Sequence, residues 1–151
     1  MLKPLLLMVA LGSAVIFTGC ESMPSSPHVT ENLQQLQNRM WIATQIGTTT
    51  IQTTPSANHI PSIQFDEATK RVSGSDGCNR IMGSYTAGTD TLQLSQLATT
   101  RMACMNNNNI DRHYNEALAK VTHYQVFGKT LKLLDRHGNL LIQFESAVQP
   151  R

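Results

Sequence analysis

The sequence predicts an α+β domain in which an antiparallel β-sheet is covered on one side by one main α-helix. Three features carry that expectation. Short segments alternate apolar and polar residues, turn-forming residues separate them at hairpin spacing, and one stretch after residue 106 repeats its apolar residues at helical spacing.

The first segment is set aside before the fold is considered. Lys3 supplies one positive charge, Leu5 to Phe17 is apolar apart from Gly12 and Ser13, and Thr18-Gly19-Cys20 follows. A run of about 13 apolar positions is short for a hydrocarbon core that takes about 20 helical residues to cross. Residues 1–19 therefore read as a cleaved lipoprotein signal peptide, with Cys20 the lipidated residue. The competing readings are an ordinary secretory signal and a short anchor helix. The small residues before Cys20 favour the lipoprotein, while Phe17 stands where Leu, Val or Ile is usual. Residues 20–29 follow as a Pro- and Ser-rich linker. Glu21, rather than the Asp that retains lipoproteins at the inner membrane in enteric-type sorting, points to the outer membrane facing the periplasm.

The domain is expected over 30–146, with a short tail at 147–151. Thr30 is placed to cap a short helix over Glu31 to Gln37. Met40 to Ile46 has strand composition, and Trp41 is its core anchor. Residues 48–61, rich in Thr and holding Pro55 and Pro61, form a long loop with some strand character. Residues 63–66 and 71–74 alternate around a turn at 67–70, and residues 83–86 and 91–94 do so around 87–90, giving two hairpins. The Asn-rich run 106–109 precedes a helical stripe of Ile110, Tyr114, Ala117, Leu118 and Val121. Asp111 early in that helix and Lys120 near its end suit the helix dipole. Strands at 124–127, 130–134 and 140–144 complete the domain.

The mature chain of roughly 130 residues suffices for one core. The formal charge of +2 falls to +1 once Lys3 leaves, and no run of Lys or Arg remains to suggest a nucleic-acid partner. Of the three cysteines, Cys20 is assigned to lipid. Cys78 and Cys104 then form an even pair in an oxidising compartment, predicting a disulfide worth about 3 kcal/mol in the chain-entropy picture. Free thiols with a metal or redox role are the alternative, but neither a Cys-x-x-Cys motif nor ligands at set spacing surround them.

Two segments carry a resemblance. Val72-Ser73-Gly74-Ser75-Asp76-Gly77-Cys78-Asn79-Arg80 and, after Gly83-Ser84-Tyr85, the segment Thr99-Thr100-Arg101-Met102-Ala103-Cys104 stand before the amphipathic helix and a closing hairpin. In this order and spacing the chain resembles the META domain family, and within it the heat-inducible envelope lipoproteins. The likeness covers most of the mature chain. Its motif residues here are Gly74, Asn79, Thr100 and Met102, beside Cys78 and Cys104. It implies a strongly curved antiparallel sheet, a partly open barrel, with a helix across it. It implies no established reaction, and an association with heat induction, envelope stress and antibiotic tolerance.

The remaining candidates are weighed residue by residue. Gly74, Gly77 and Gly83 read as turn glycines rather than an anion loop, since no phosphate-binding motif matches. Asp76, Asn79 and Arg80 are polar groups beside the cysteines, and Asn79 is expected to bond local backbone. Arg101 sits between positions expected to be buried and reads as a surface or strand-edge arginine. His28, His59, His113, His123 and His137 share no metal-ligand spacing, so neither a metal nor a cofactor is expected. There is no Gly-x-Ser-x-Gly elbow and no carboxylate pair with an evident acid/base role. Met40, Met82, Met102 and Met105 are expected to fill the core, the more frequent use, with an adaptable apolar surface as the other reading. The leading function class is a non-catalytic lipoprotein that contacts another envelope protein through its curved sheet. A small apolar ligand or lipid bound between sheet and helix comes second, and an enzyme a distant third.

Overall fold

The computed structural model describes residues 27–53, 59–105 and 107–147. The signal peptide expected at 1–19, the lipidation expected at Cys20 and the first part of the expected linker lie outside the described residues.

Helix α1, Pro27–Leu36, starts inside the expected linker, three residues before the Thr30 cap position. Proline is well suited to a first helical turn, where its missing N–H is not needed. Asn38 ends the helix in the left-handed region, at φ 57°. Its backbone N–H donates to the Phe65 carbonyl, and its side-chain oxygen accepts from the Glu67 N–H. Strand β1, Met40–Ile46, has the bounds expected of it, and the indole N–H of fully buried Trp41 donates to the Leu36 carbonyl at 2.9 Å. Strand β2, Thr49–Thr50, folds back on β1.

The two expected hairpins are present. Strand β3, Ser62–Phe65, pairs with β4, Arg71–Ser75, so that Phe65 faces Val72. Strand β5, Arg80–Ala87, pairs with β6, Leu92–Thr99, and both run longer than the alternation suggested. The register slips between Met82 and Ser84, opposite Gln96 in the left-handed region at φ 53°. A bulge of this kind bends and twists its strand. Gly83 makes it possible, since a Cβ there would come within 2.8 Å of the Ser95 carbonyl oxygen. Strands β7, His123–Phe127, β8, Thr130–Leu134, and β9, Leu140–Ser146, form the closing meander.

The sheet runs β6-β5-β4-β3-β1-β9-β8-β7, with β2 attached to β1 and every pairing antiparallel. Its two outer strands meet at one point. The Leu92 N–H donates to the Thr122 carbonyl at 2.9 Å, the Tyr124 N–H donates to the Asp90 carbonyl at 2.8 Å, and Thr91 is bridged to His123. The sheet is thus a curled half-barrel whose edges touch at one end, in keeping with the partly open barrel of the expected fold class.

Alternation puts Trp41, Ile63, Phe65, Val72, Ile81, Tyr85, Leu131, Leu133, Ile142 and Phe144 inside. Helix α2, Ile110–Leu118, covers β9 and β1, burying Tyr114, Ala117 and Leu118. Tyr114 meets Phe144 edge to face, with ring centroids 6.2 Å apart, and its hydroxyl donates to the Ser62 carbonyl at 3.2 Å. The helix ends two residues short of Lys120, so that lysine lies beyond it, and Val121 buries itself from the following turn. The Asn-rich run works differently from the expected cap. Asn109 occupies the cap position in the left-handed region with no side-chain bond, while Asn107 accepts from the Asn109 N–H and donates to Asp111. Leu36 at the end of α1 is buried, and so is the following Gln37, whose amide donates to the Tyr85 hydroxyl at 2.7 Å.

Candidate functional site

Two places gather residues from distant parts of the chain: the node around the cysteines, and an open groove beside α2.

Cys78 and Cys104 are joined, with Cα atoms 5.9 Å apart. The β4–β5 turn that carries Cys78 is organised by Asp76, which is fully buried. One of its carboxylate oxygens accepts from the Cys78 and Asn79 N–H groups at 3.0 and 2.6 Å. The other accepts from the Asn115 amide of α2 at 2.7 Å. Asn115 also donates to the Asp111 carbonyl. The carboxylate therefore clips the turn to the helix. Burial, and after it the nearby Asp76 charge, hold the Tyr114 hydroxyl well above its ordinary pKa.

Asn79 does not bond local backbone as expected. Its side-chain oxygen accepts from the Met102 N–H at 2.6 Å and from the Thr100 hydroxyl at 3.4 Å. The same hydroxyl accepts from the Arg80 N–H at 3.0 Å. Thr100 and Met102 thus dock the second signature segment on the first, and the disulfide closes the junction. Gly74 belongs to the same region for a steric reason: a Cβ there would run into the Ser62 carbonyl oxygen and lie 3.0 Å from the Ile63 Cα, all backbone of the adjacent strand. Arg101 is exposed, and so are its neighbours Thr100 and Met102, contrary to the expected burial, because the segment crosses the surface held by its backbone, the Thr100 hydroxyl and Cys104. Sequence reasoning placed Asp76 beside the cysteines but missed its role, and missed Asn115 altogether. An Asp-Gly-Cys-Asn turn signals a carboxylate bonding forward N–H groups. Nothing in a linear pattern signals a helix partner 39 residues away.

All four of the methionines singled out are exposed, not core-filling. Met40 and Met82 share one outward-facing row across the sheet, in the register Met40, Gln64, Ser73, Met82 and Ala98. Polar side chains interrupt that row.

The groove is an open cavity of about 790 Å³ between the β1–β2 turn, one side of α2 and the start of β9. Its floor is apolar, made by Ile46, Ile51, Ile110, Ala117, Leu140 and Leu141. Its rim carries Thr48, Thr50, Gln52, His59, His113, Glu116 and Lys120. Glu116 faces Arg112 and His113 at 3.9 Å each, solvent-exposed contacts that hold little energy. A second, smaller cavity of about 600 Å³ lies between the β5–β6 turn and residues 119–122. Among the described residues no three His, Cys, Asp or Glu side chains are grouped as metal ligands.

Comparison with solved structures finds the same fold. A protein from Burkholderia xenovorans, determined by NMR, is 28% identical over 77% of this chain and 86% of its own, with a TM-score of 0.58. A DUF4847-family protein from Bacteroides vulgatus is 19% identical over 76% of this chain and 96% of its own, with a TM-score of 0.53, a likeness of fold alone. Comparison with curated proteins gives no match. A META domain family model matches residues 34–148, from the last turn of α1 to past the end of β9, and includes both cysteine segments. The chain belongs to the META domain family.

Proposed function

We propose that this protein is a non-catalytic binding module, tethered by lipid on Cys20 to the periplasmic face of the outer membrane. In this reading it takes a slim apolar ligand, of the acyl-chain type, in the α2 groove as part of an envelope-stress or antibiotic-tolerance response. The observation that carries the reading is the groove itself: a concavity of drug-like volume with an apolar floor and a polar rim. Burying about ten methylenes there would contribute roughly 8 kcal/mol before the costs of association. The groove is preferred to the expected protein contact through the curved sheet because the sheet's outer row alternates Met with Gln and Ser. Membership of a family without an established reaction favours binding over catalysis.

Native mass spectrometry of protein purified from envelopes tests the reading. A bound apolar species is expected with the wild type and is expected to be lost in Thr50→Trp, which fills the groove from an exposed rim position. A wild-type protein that is empty in repeated preparations, or a ligand that Thr50→Trp leaves in place, would overturn the groove assignment. Fractionation of Cys20→Ala tests the tether separately, with loss from the membrane fraction as the expected result.

A further inference from the structure

Methionine is ordinarily among the more buried residue types, a filler of irregular core gaps. Here the core formed by the described residues contains none. Met40, Met82, Met102 and Met105 are 48%, 50%, 63% and 83% exposed. The other readily oxidised side chains of the described residues are buried or, in the disulfide, already oxidised. Trp41, Tyr114, Tyr85 and Tyr124 are buried, and the sulfurs of Cys78 and Cys104 are already bonded to each other. A two-electron oxidant arriving from solvent therefore meets thioether sulfur first.

We propose that Met40, Met82, Met102 and Met105 form a reversible oxidant sink on the surface of this domain. With hypochlorous acid as the oxidant, the thioether sulfur attacks the electrophilic chlorine, forming a chlorosulfonium and releasing hydroxide. Water then attacks sulfur, chloride leaves with the two electrons, and two protons are lost, one of them neutralising the hydroxide, to give the sulfoxide. With hydrogen peroxide the other product is water. A sulfoxide reductase drawing on a dithiol removes that oxygen as water and forms one disulfide in the reductant, returning the thioether.

The structure shows why the cycle leaves the fold intact. Methionine sulfoxide is polar, and its damage in proteins comes from placing that polarity inside a core. None of the four sites is inside. Met40 and Met82 stand on the outward row of the sheet. The backbone at Met102 is held independently of its side chain, by the Asn79 oxygen at 2.6 Å and by the disulfide two residues on. Exposure also sets an order, with Met105 and Met102 ahead of Met82 and Met40. This inference does not depend on a ligand in the groove.

The test treats the full chain with limiting hypochlorous acid, reads each methionine by peptide mass spectrometry, and follows thermal unfolding on the same samples. Met105 and Met102 are expected to be converted first, with Met82 and Met40 slower. The unfolding midpoint should stay in place, and treatment with both epimer-specific sulfoxide reductases should restore the starting mass. Met102→Leu with Met105→Leu keeps side-chain volume and should lower uptake at these sites by two oxygen equivalents. Oxidation of Trp41 or loss of the disulfide before the four methionines, a fall in the midpoint as they convert, or failure of the reductases to reverse them would overturn the proposal.

Discussion

A carboxylate with no exposed surface needs its hydrogen bonds, since an unmet donor or acceptor in the interior costs about 1–3 kcal/mol and more when charge is involved. Asp76 receives three such bonds, two from its own turn and one from α2. Asp76→Asn keeps an oxygen for the turn but aims an amide donor at the Asn115 donor. We expect a loss of about 2 kcal/mol, read by denaturant unfolding. Asn115→Ala should then cost less in the Asp76→Asn background than in the wild type, because it removes the donor-to-donor clash; equal costs would mean the two groups are not coupled. Gly74→Ala is expected to lose about 1–3 kcal/mol, since backbone of β3 stands in the way and cannot swing aside as a side chain would. At this scale the sequence was only partly legible. Trp41 and the Cys78–Cys104 pair could be read from composition and count. Asn79 and the methionines could not, because whether a side chain meets the core or a distant backbone N–H is decided by the folded path of another segment.

Between elements, the junction of the two signature segments rests on the disulfide, Asn79 and Thr100 together. Replacing both cysteines, as Cys78→Ser with Cys104→Ser, should lower stability by about 3 kcal/mol, with the β-sheet signal in circular dichroism retained. A midpoint unchanged by the double replacement would show that the polar bonds hold the junction alone. Strand β1 and the two hairpins were legible because alternation and turn residues are local signals. The start of α1 was not, since the Pro/Ser-rich composition before Thr30 reads as linker. The true length of β6 was masked as well: Ser95 and Gln96 break the alternation where the bulge absorbs them. The groove was legible only as a generic cleft between sheet and helix. Its floor comes from residues 46–51, 110–117 and 140–141, and only tertiary packing puts these together.

For the molecule as a whole, the tyrosines set the alkaline limit. Burial raises Tyr124 to about 12 and also raises Tyr85 and Tyr114 above their ordinary value of 10. The unfolded chain then gives up these protons first, so the stability they contribute is intact below pH 10 and is lost as pH rises toward 12. Tyrosinate absorbance should accordingly appear together with unfolding, not before it; normal titration of all three tyrosines in a folded protein would contradict their burial. On the acid side, Asp66 is held below the ordinary 3.8 by the N–H and hydroxyl of Thr69, and Asp135 by Asn139. Both contribute stability above that value that fades as pH falls below it, a small effect for exposed groups.

Strand β1 lies between β3 and β9, and its pairing with β9 joins Trp41 to Ser146 and Ile46 to Ile142. One side of this early strand thus waits for the last hundred residues to be made. A chain built on so distant a pairing cannot close its sheet before residues 140–146 are available, and loop closure over that span makes the step slow. Truncation before residue 140 should leave β1 with an open edge and no partner to cover it. The hairpins on either side of β1 can thus form from local chain, while β1 itself is committed only when β9 arrives.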